Sequence, residues 1–360
     1  MKKVITKGSK GKAPVISRKD RVYVGLDVHK RSIYAAVRIN GVEHSTAVLP
    51  PQSKAVIAFL APYHLGLQKV VYEAGPTGFA LARALKNAKM KIAVVPPSKI
   101  PRPAVRGAKS DKIDCRMLAE FAEKDLLKEV AIPTVEEESD RDIQRLRDSL
   151  VDRRRKAKQR IRSFLLLHNL PEPANLHSNW SLASIKGLQI MPMNPQQRFC
   201  MEMMLEDLMH ILDQVDRVKA KLREMASEER YAMAARRLRT HPGVGETTSM
   251  QVLTEIFQPD RFDNQRQVAA YVGLAPLISS SGESRTEGPL MRGGRGALRC
   301  TLLEAAWVWI RQEKRADKLY KRLVRNTGSA QKAIVAMARR MLVNLWFMLV
   351  RKQEYRPFAA

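Results

Sequence analysis

Four acidic residues stand where carboxylates could bind a metal ion. Asp27 lies near the end of the apolar run 22–27, and Glu73 ends a second apolar run. Asp111 and Asp114 follow at the predicted start of a helix. Hard cations prefer oxygen ligands, and a metal pair stabilises the attacking and leaving oxygens of a phosphodiester. These residues therefore predict a Mg²⁺ or Mn²⁺ site for phosphodiester chemistry.

Each acid also has a simpler explanation. Asp27 suits a residue that caps the turn after its strand. Acids in a first helical turn, such as Asp111 and Asp114, interact favourably with the helix macrodipole. A carboxylate in an apolar strand is costly to bury unless it is paired or binds a metal. Because the acids follow predicted elements in a fitting order, the metal site is the favoured interpretation.

A second group of candidate residues lies nearer the C-terminus. The stretch 279–284 is a predicted polar loop with consecutive serines, of which Ser281 precedes a glycine. An arginine–glycine segment with Arg292, Arg295 and Arg299 follows. Arginines bind phosphates bidentately and can stabilise a serine alkoxide or a pentacovalent phosphorus. The arginine–glycine segment is therefore a candidate nucleic-acid-binding site. The serine stretch alone is a weak signal, because most such stretches are linkers.

The acids depend on a predicted α/β domain over residues 21–132. Apolar runs and turn residues predict the element order βββαβαβα, with Asn40-Gly41 as the turn between the second and third strands. This order is typical of the RNase H-like fold, in which the first strand lies centrally beside the fourth. That arrangement would bring Asp27 and Glu73 close together.

Long helices are predicted next, over residues 133–230. The second of them carries apolar residues at alternating spacings of three and four, which predicts a coiled-coil hairpin packed on itself or pairing between protomers. The first carries a basic run that favours contact with a phosphate backbone over a merely solvated face. The predicted nucleic-acid-binding residues of this run are Arg153, Arg154, Arg155 and Lys156.

Two flanking regions complete the predicted organisation. Residues 231–350 form a mostly helical C-terminal domain, and its segment 238–245 resembles the hairpin of a helix–hairpin–helix, whose glycines let backbone N–H groups approach a phosphate. A plain connection between two helices is the alternative. Residues 1–20 are lysine-rich and without apolar periodicity, which predicts a disordered tail.

The charge of the chain points to a polyanionic partner. Its 360 residues contain 64 basic and 36 acidic side chains, a formal net charge of +28, and nucleic acid is the commonest partner of such a chain. An anionic membrane surface is the competing partner. No spanning segment or signal peptide is predicted. Three scattered cysteines suit a reducing cytoplasm.

Several motifs occur together in a fixed order and give the chain a specific resemblance. It resembles the DEDD transposases of the IS-one-ten family of insertion sequences over residues 21–345. The motifs that carry the resemblance are Gly25-Leu26-Asp27-Val28-x-Lys30, Tyr72-Glu73-Ala74, Lys109-Ser110-Asp111-x-x-Asp114, Pro242-Gly243-Val244-Gly245, Gly273-Leu274-x-Pro276, Ser281-Gly282 and Gly293-x-x-Gly296-x-Leu298-Arg299.

The resemblance implies an architecture and an activity. It implies a RuvC-like N-terminal domain, a coiled-coil connector and a C-terminal transposase domain. It further implies recombination of donor and target DNA under the guidance of a structured non-coding RNA, by a homo-oligomer between dimer and tetramer. Such a protein is expected in the bacterial or archaeal cytoplasm, associated with the nucleoid and not with a membrane.

The resemblance also implies roles for individual residues. Asp27, Glu73, Asp111 and Asp114 would form the metal-binding DEDD tetrad. Ser281 would be the nucleophile that forms a transient 5′-phosphoserine link, with its neighbouring serines as alternatives. Two other functions remain open from the residues alone. One is a metal-only, RuvC-like nuclease in which water attacks, and the other is a non-catalytic nucleic-acid scaffold.

Overall fold

The computed structural model describes residues 5–7, 15–101, 111–173, 176, 180–281, 284–291 and 293–357. The chain divides into two compact units, residues 1–134 and residues 135–360. The first, called here the α/β unit, contains a mixed sheet and three α-helices in its described part. The second, called here the helical unit, contains nine α-helices and one β-hairpin in its described part.

The α/β unit is built on a mixed sheet of six strands with the order β1-β4-β3-β2-β5-β6. Strands β1, β4, β3 and β2 pair antiparallel, whereas β2, β5 and β6 pair parallel. The predicted place of the first long strand beside the fourth is confirmed. The strand bounds are β1 Ile5–Lys7, β2 Val22–Val28, β3 Ile33–Ile39, β4 Val42–Leu49, β5 Leu67–Glu73 and β6 Ile92–Val95.

Local sequence explains the antiparallel half of this sheet. Strands β3 and β4 are joined at Asn40 and Gly41, whose φ angles are 50° and 87°. Such left-handed angles suit a tight hairpin turn, and asparagine and glycine adopt them at low cost. The turn predicted from this dipeptide is therefore confirmed.

Apolar side chains of the strands point alternately to the two faces of the sheet, and helices cover both faces. Val22, Val24 and Leu26 of β2 are fully buried on one face, in a core that includes residues of the first two helices. The opposite face packs against the third helix through a smaller apolar cluster. The helices of this unit are α1 Ser53–Leu60, α2 Ala80–Asn87 and α3 Asp111–Glu123.

The predicted disordered tail differs from the structure at Ile5–Lys7. These residues form β1 and pair with Thr46–Val48 of β4. An edge strand presents unpaired backbone N–H and C=O groups, so even a short segment with weak apolar character can bond to it. Charge and glycine content alone carry no information about such pairing.

The helical unit begins with two long helices that form an antiparallel pair within one chain. Leu150 and Ile161 of α4 and Leu205 and Val215 of α6 lie in the same buried cluster. The apolar residues of the predicted coiled coil are thus buried between two helices of the same chain. The helices are α4 Val135–Leu167, α5 Leu182–Ile190, α6 Pro195–Ser227, α7 Glu229–Leu238, α8 Glu246–Glu255, α9 Gln265–Val272, α10 Gly296–Gln312, α11 Lys314–Thr327 and α12 Ala330–Val350.

Helix α12 is long and apolar enough to cross a membrane by length and composition. Half of its apolar window is buried inside the protein. Met337, Met341 and Leu345 are fully buried in the largest core of the helical unit. These contacts are those of a core helix.

A buried histidine lies in the segment predicted as a phosphate-binding hairpin. His241 is 1% exposed, and burial lowers its pKa to about 4. Its Nδ1 lies 2.8 Å from the Pro242 carbonyl oxygen, and its Nε2 lies 3.3 Å from the Asn344 amide nitrogen. This pairing suits a neutral ring with its proton on Nδ1. The fold therefore favours the uncharged form of His241.

We expect the helical unit to lose stability as the pH falls from about 6.5 to 4. In this range the unfolded chain binds a proton at His241 and the folded chain does not, which lowers the free energy of unfolding by about 2 kcal/mol between pH 7 and pH 5. Urea titrations of the wild type and His241→Gln at both pH values measure the effect. Every tryptophan belongs to the helical unit, so indole fluorescence reports on it alone. Identical pH dependence in the two proteins would contradict the assignment.

Candidate active site

Two of the predicted acids lie at the ends of neighbouring parallel strands. Leu26 of β2 pairs with Tyr72 of β5, so the next residues, Asp27 and Glu73, lie side by side at the carboxyl end of the sheet. Side chains alternate across a sheet, and residues paired in register point to the same face. Asp27 and Glu73 therefore share the face on which α3 packs.

Gly25 lets α3 approach this face very closely. A Cβ atom at Gly25 would lie 2.0 Å from the carbonyl oxygen of Cys115 and 2.6 Å from the amide nitrogen of Ala119. Only a residue without a side chain leaves room for the helix backbone there. The motif Gly25-Leu26-Asp27 thus contains both a candidate metal ligand and the glycine that lets α3 pack closely on the sheet.

The direction of α3 brings its N-terminal turn to the same end of the sheet. At the helix C-terminus, Glu123 accepts hydrogen bonds from Arg38 Nε at 2.8 Å and from the Gly41 backbone N–H at 2.7 Å. Gly41 belongs to the turn beside the opposite, amino end of β2. The helix therefore runs back along β2, and its first turn, with Asp111 and Asp114, lies toward the carboxyl end.

Electrostatics agree with this placement of α3. Burial raises the pKa of the Cys115 thiol to about 12, and the negative charge of Asp27 contributes to the rise. Asp27 is itself half-buried, and its Oδ2 lies 3.0 Å from Nε2 of His29, in the turn between β2 and β3. Asp114, the residue before Cys115, is half-buried, and Glu73 is exposed.

The donor set fits a hard divalent cation, since it consists of carboxylates from two strands and one helix. Among the described residues, no three His, Cys, Asp or Glu side chains lie close enough together to enclose a metal ion. The side chain of Asp111 lies outside the described part of the chain. The structure therefore brings the ends of β2 and β5 and the first turn of α3 to the same end of the sheet. The described carboxylates there do not yet enclose a metal ion.

The serine stretch differs from its predicted loop structure. Pro276–Ser281 form strand β7, which pairs antiparallel with β8, Ser284–Leu290. Ser281 pairs with Ser284 at the last register position, so it ends the first strand of a hairpin. The side chain of Ser281 and residues 282–283 lie outside the described part. In the sequence, Gly282 is the signal that could have predicted a hairpin here instead of a loop.

The base of this serine hairpin is held by backbone contacts. Gly294 has a φ of 105°, and a Cβ there would lie 2.6 Å from the Gly273 amide nitrogen. A Cβ at Gly273 would in turn lie 2.5 Å from the carbonyl oxygen of Gly293. Both glycines are therefore required for the chain to pass itself closely at this point.

Buried charges hold the arginine–glycine segment beside this base. Glu255 Oε2 lies 3.1 Å from Arg295 Nε and 3.8 Å from Arg141 Nη2. Arg295 Nε also donates to the Tyr271 hydroxyl at 3.1 Å, and Arg299 donates to the Gly273 carbonyl at 3.3 Å. Two of the predicted phosphate-binding arginines thus have protein partners, and Arg292 lies outside the described residues.

Glu255 and Arg141 were not predicted from the sequence. Both are buried, with 8% and 3% of their surfaces exposed. A buried charge is costly unless it is paired, so an acid close to an apolar helix end was a usable signal. Its partners could not be identified, because they come from segments more than thirty positions away in the chain.

The basic run on α4 is less open than its sequence suggested. Asp152 lies 2.8 Å from Arg155 and 2.7 Å from Lys156 and partly neutralises them. Within the described part of the chain, Arg153 and Arg154 form no ion pair. Of the four predicted nucleic-acid-binding residues of this helix, only these two arginines keep an unpaired charge in the described structure.

The segment 238–245 also differs from a free phosphate-binding hairpin. Gly243 has a φ of 86°, and a Cβ there would lie 2.4 Å from the Ala305 carbonyl oxygen of α10. Its backbone N–H donates to Gln312 Oε1 at 3.1 Å. This glycine therefore serves close packing against α10, and its N–H group already has a partner.

Comparisons with known proteins cover both units. The model of the DEDD transposase family of IS110 matches residues 24–169, and a model described as the transposase IS116/IS110/IS902 family matches residues 235–321. The chain is 28% identical over 297 residues to the y4qE protein of Sinorhizobium fredii, which is named as a transposase, with 80% of this chain and 71% of the relative covered.

Two further relatives agree with this match. The y4rJ protein of Sinorhizobium fredii, also named as a transposase, is 30% identical over 302 residues, which cover 77% of this chain and 76% of the relative. The transposase for insertion sequence element IS1111A of Coxiella burnetii is 25% identical over 260 residues, covering 71% and 70% of the two chains.

We expect Gly25→Ala to destabilise the α/β unit by at least about 2 kcal/mol, because the added Cβ collides with backbone atoms of α3. Gly75→Ala is the matched control, since its Cβ would have no neighbour closer than 3.8 Å. Thermal unfolding of both variants, followed by calorimetry, measures the difference. Equal unfolding temperatures for Gly25→Ala and the wild type would contradict the close approach of α3.

Proposed function

The chain belongs to the IS110 (IS-one-ten) family of DEDD transposases, and on that premise we propose that it cleaves and rejoins donor and target DNA. The observation that carries the proposal is the placement of Asp27 and Glu73 at neighbouring strand ends, beside the first turn of α3. Carboxylates from separate elements that meet at one sheet end are the arrangement that metal-assisted phosphodiester cleavage requires.

The proposed fold of the α/β unit is RNase H-like, of the RuvC-like type. Support comes from the central place of β2 in the sheet, between antiparallel β3 and parallel β5. Support also comes from the packing of α3 across β2 next to the acids. The helical unit would then supply the coiled coil and the transposase domain with its serine hairpin.

Asp27, Glu73, Asp111 and Asp114 would hold the Mg²⁺ or Mn²⁺ of the reaction. When bound, the metal supplies Lewis-acid polarisation of the scissile phosphate. The chain's own contribution is to fix the carboxylates through the β2–β5 register and the α3 contact at Gly25. Gly25 is therefore part of the support for the site without being a ligand.

Ser281 is the proposed nucleophile. Its Oγ would lose its proton and attack the scissile phosphorus. A bond from Oγ to phosphorus forms, the bond from phosphorus to the 3′ oxygen breaks, and the 3′ oxygen takes up a proton to become a hydroxyl. The 5′-phosphoserine link conserves the phosphodiester's energy. A 3′ hydroxyl from the other DNA would then reverse the step and release the serine. The end of a short strand is a suitable place from which to present such a hydroxyl.

A structured non-coding guide RNA and further copies of the chain are the proposed partners. The formal charge of +28 supports binding of more than one nucleic acid. Arg153, Arg154, Arg155 and Lys156 remain the proposed contacts on α4, and Arg292, Arg295 and Arg299 those of the arginine–glycine segment. A homo-oligomer of two to four chains in the bacterial or archaeal cytoplasm, at the nucleoid, is the corresponding assembly.

We expect Mg²⁺ to raise the unfolding temperature of the α/β unit by several degrees. Neighbouring carboxylates repel one another, and a ligand that binds only the native state stabilises it. Asp27→Asn should abolish the shift. Asp125→Asn, which alters an acid 89% exposed in the same unit, should keep it. Calorimetry with and without Mg²⁺ measures the shift, and an equal shift in Asp27→Asn would argue against the tetrad.

We expect a covalent protein–DNA adduct when the protein is incubated with its guide RNA, Mg²⁺ and end-labelled donor and target DNA. The adduct should fall by at least about a thousandfold in Ser281→Ala and in Asp27→Ala, because the nucleophile and the metal act as one unit. Denaturing gels detect it, and Ser280→Ala is the matched control that should retain it.

Other outcomes of this experiment identify other reactions. Cleavage without an adduct, lost in Asp27→Ala but not in Ser281→Ala, would move the protein to the metal-only nucleases. An adduct that survives Ser281→Ala and disappears in Ser280→Ala would assign the nucleophile to the neighbouring serine. DNA binding without cleavage under all conditions would favour the scaffold.

A further inference from the structure

A groove lies beside the contact between α4 and α6, and neither the motifs nor the proposed reaction uses it. Its volume is about 410 Å³. Its apolar lining consists of Ile143, Leu146 and Leu150 of α4 and Val218 of α6. Leu146 is exposed to solvent, so the pair of helices leaves part of this apolar surface uncovered. Burial of that surface by a further molecule would be favourable.

Cations surround this apolar lining. Arg153 of α4 and Arg217 and Lys221 of α6 line the groove. Arg153 forms no ion pair within the described part of the chain. Arg217 and Lys221 are paired with exposed acids of their own helix, at 3.8 Å and 2.7 Å, and such pairs contribute little to stability. The groove therefore suits a partner whose apolar side chains are flanked by acids.

The N-terminal half of α6 displays that combination of side chains. Phe199 is 64% exposed and Met203 is 50% exposed. They are four residues apart, so they are neighbours on the surface of the helix. Glu202 and Glu206 are exposed beside them and form no ion pair among the residues that the structure describes. Exposed apolar surface rimmed by charged residues is typical of a contact between proteins.

These apolar residues and the cations of the groove lie on one side of α6. Phe199 and Arg217 are eighteen residues apart, as are Met203 and Lys221, and eighteen residues make five turns at about 3.6 residues per turn. We call this side the outer side of α6. It carries, in chain order and all exposed, Phe199, Met203, Glu206, His210, Arg217 and Lys221. Its N-terminal half is apolar and acidic, and its C-terminal half carries the cations of the groove.

We propose that the outer side of α6 pairs antiparallel with the same side of α6 in a second copy of this chain. In an antiparallel pair, residues equally distant from the centre face each other. With the centre at His210, Phe199 of one copy lies opposite Lys221 of the other. Met203 likewise lies opposite Arg217. Because these cations line the groove, the phenyl ring and the thioether of one copy enter the groove of the other.

Charge selects the antiparallel direction. A parallel pair would place Glu206 against Glu206 and the cations against the cations, and like charges that face each other oppose association. The antiparallel pair places the acids of each copy near the cations of the other. The same patch serves both copies, so the assembly closes at two chains. From Phe199 to Lys221 the contact is about 33 Å long, at about 1.5 Å per residue.

A phosphate backbone fits this surface less well than a second copy does. It would match the cations of the groove, but Glu202 and Glu206 on the same helix would repel it. It would also leave Phe199 and Met203 in solvent. The pairing identifies one interface of the homo-oligomer and rests on that part of the proposed function. It involves no step of the DNA chemistry.

The first test removes the apolar side chains. Phe199→Ser/Met203→Ser should raise the Kd of self-association at least about tenfold, because the groove then loses the groups that fill it. The matched control Leu182→Ser/Ile190→Ser removes two exposed apolar side chains of α5 and should leave the Kd unchanged. Sedimentation velocity of the nuclease-treated, full-length protein over a concentration series measures the Kd.

The second test reverses the charges. Glu202→Lys/Glu206→Lys removes the acids, and Arg217→Glu/Lys221→Glu removes the cations. Each variant alone should self-associate at least about a hundredfold more weakly, because like charges then face each other. An equimolar mixture of the two should associate again, because the basic side of one meets the acidic side of the other. Circular dichroism melting verifies that each variant is folded.

Three results would overturn the inference. The first is an oligomeric wild type whose Kd is matched by Phe199→Ser/Met203→Ser, which would leave the proposed homo-oligomer standing without this interface. The second is a mixture of the charge variants that stays dissociated. The third is a wild type that is monomeric at every concentration, which would contradict the homo-oligomer as well. Weaker oligonucleotide binding by Arg217→Glu/Lys221→Glu would then assign the groove to a phosphate backbone.

The proposed recombination has a separate readout. The covalent protein–DNA adduct reports on the serine and the metal site, and sedimentation reports on the contact between copies. Absence of the adduct in a wild type that self-associates through the outer side of α6 would contradict the reaction alone.

Discussion

The close contact of Gly25 with the backbone of α3 is the constraint on which the candidate active site depends. Strand β2 places Asp27, and its neighbour β5 places Glu73. The remaining two acids lie on helix α3, which follows later in the chain. Its approach is set by the 2.0 Å that a Cβ at Gly25 would leave to the Cys115 carbonyl oxygen. A side chain at that position would lift the helix off the sheet and carry Asp114 away from Asp27. The glycine therefore does as much to build the site as the acids do.

The helical unit holds its serine hairpin and its arginine–glycine segment by a different arrangement. The base of the serine hairpin is fixed by backbone passing backbone at Gly273 and Gly294, and by the carboxylate of Glu255 between Arg141 and Arg295. One buried acid opposite two guanidinium groups leaves an excess of positive charge. Removal of one partner from a buried ion pair costs about 3–5 kcal/mol, whereas its net contribution to stability is small. Such a group is better suited to hold a segment in place than to stabilise the unit.

Features that depend on residues close together in the chain could be predicted from the sequence. Features that depend on a distant partner could not. Asp27 and Glu73 could be placed from sequence because each lies at the end of a strand with a clear local pattern, and the order of the elements is typical of a fold in which the first strand lies beside the fourth. The strand at Ile5–Lys7 and the packing role of Gly243 could not, because both depend on a partner distant in the chain. The serines of β7 were predicted as a loop since polar residues with glycine suit a loop as well as an exposed hairpin. The family and its order of motifs came from resemblance and not from periodicity.

Departures from local rules occur at several places in this chain. An acid lies near the end of an apolar strand at Asp27, a carboxylate is buried between two arginines at Glu255, and like charges repeat along α11. Each like-charge pair on a helix costs about 0.2–0.5 kcal/mol, a small amount that a well-packed apolar side can offset. Proteins tend to break such rules at functional sites and to compensate elsewhere. On α11 the compensation is visible in Ala316, Leu319 and Leu323, which anchor the helix. The like-charge repulsion along α11 is thus a small destabilising contribution that this packing offsets.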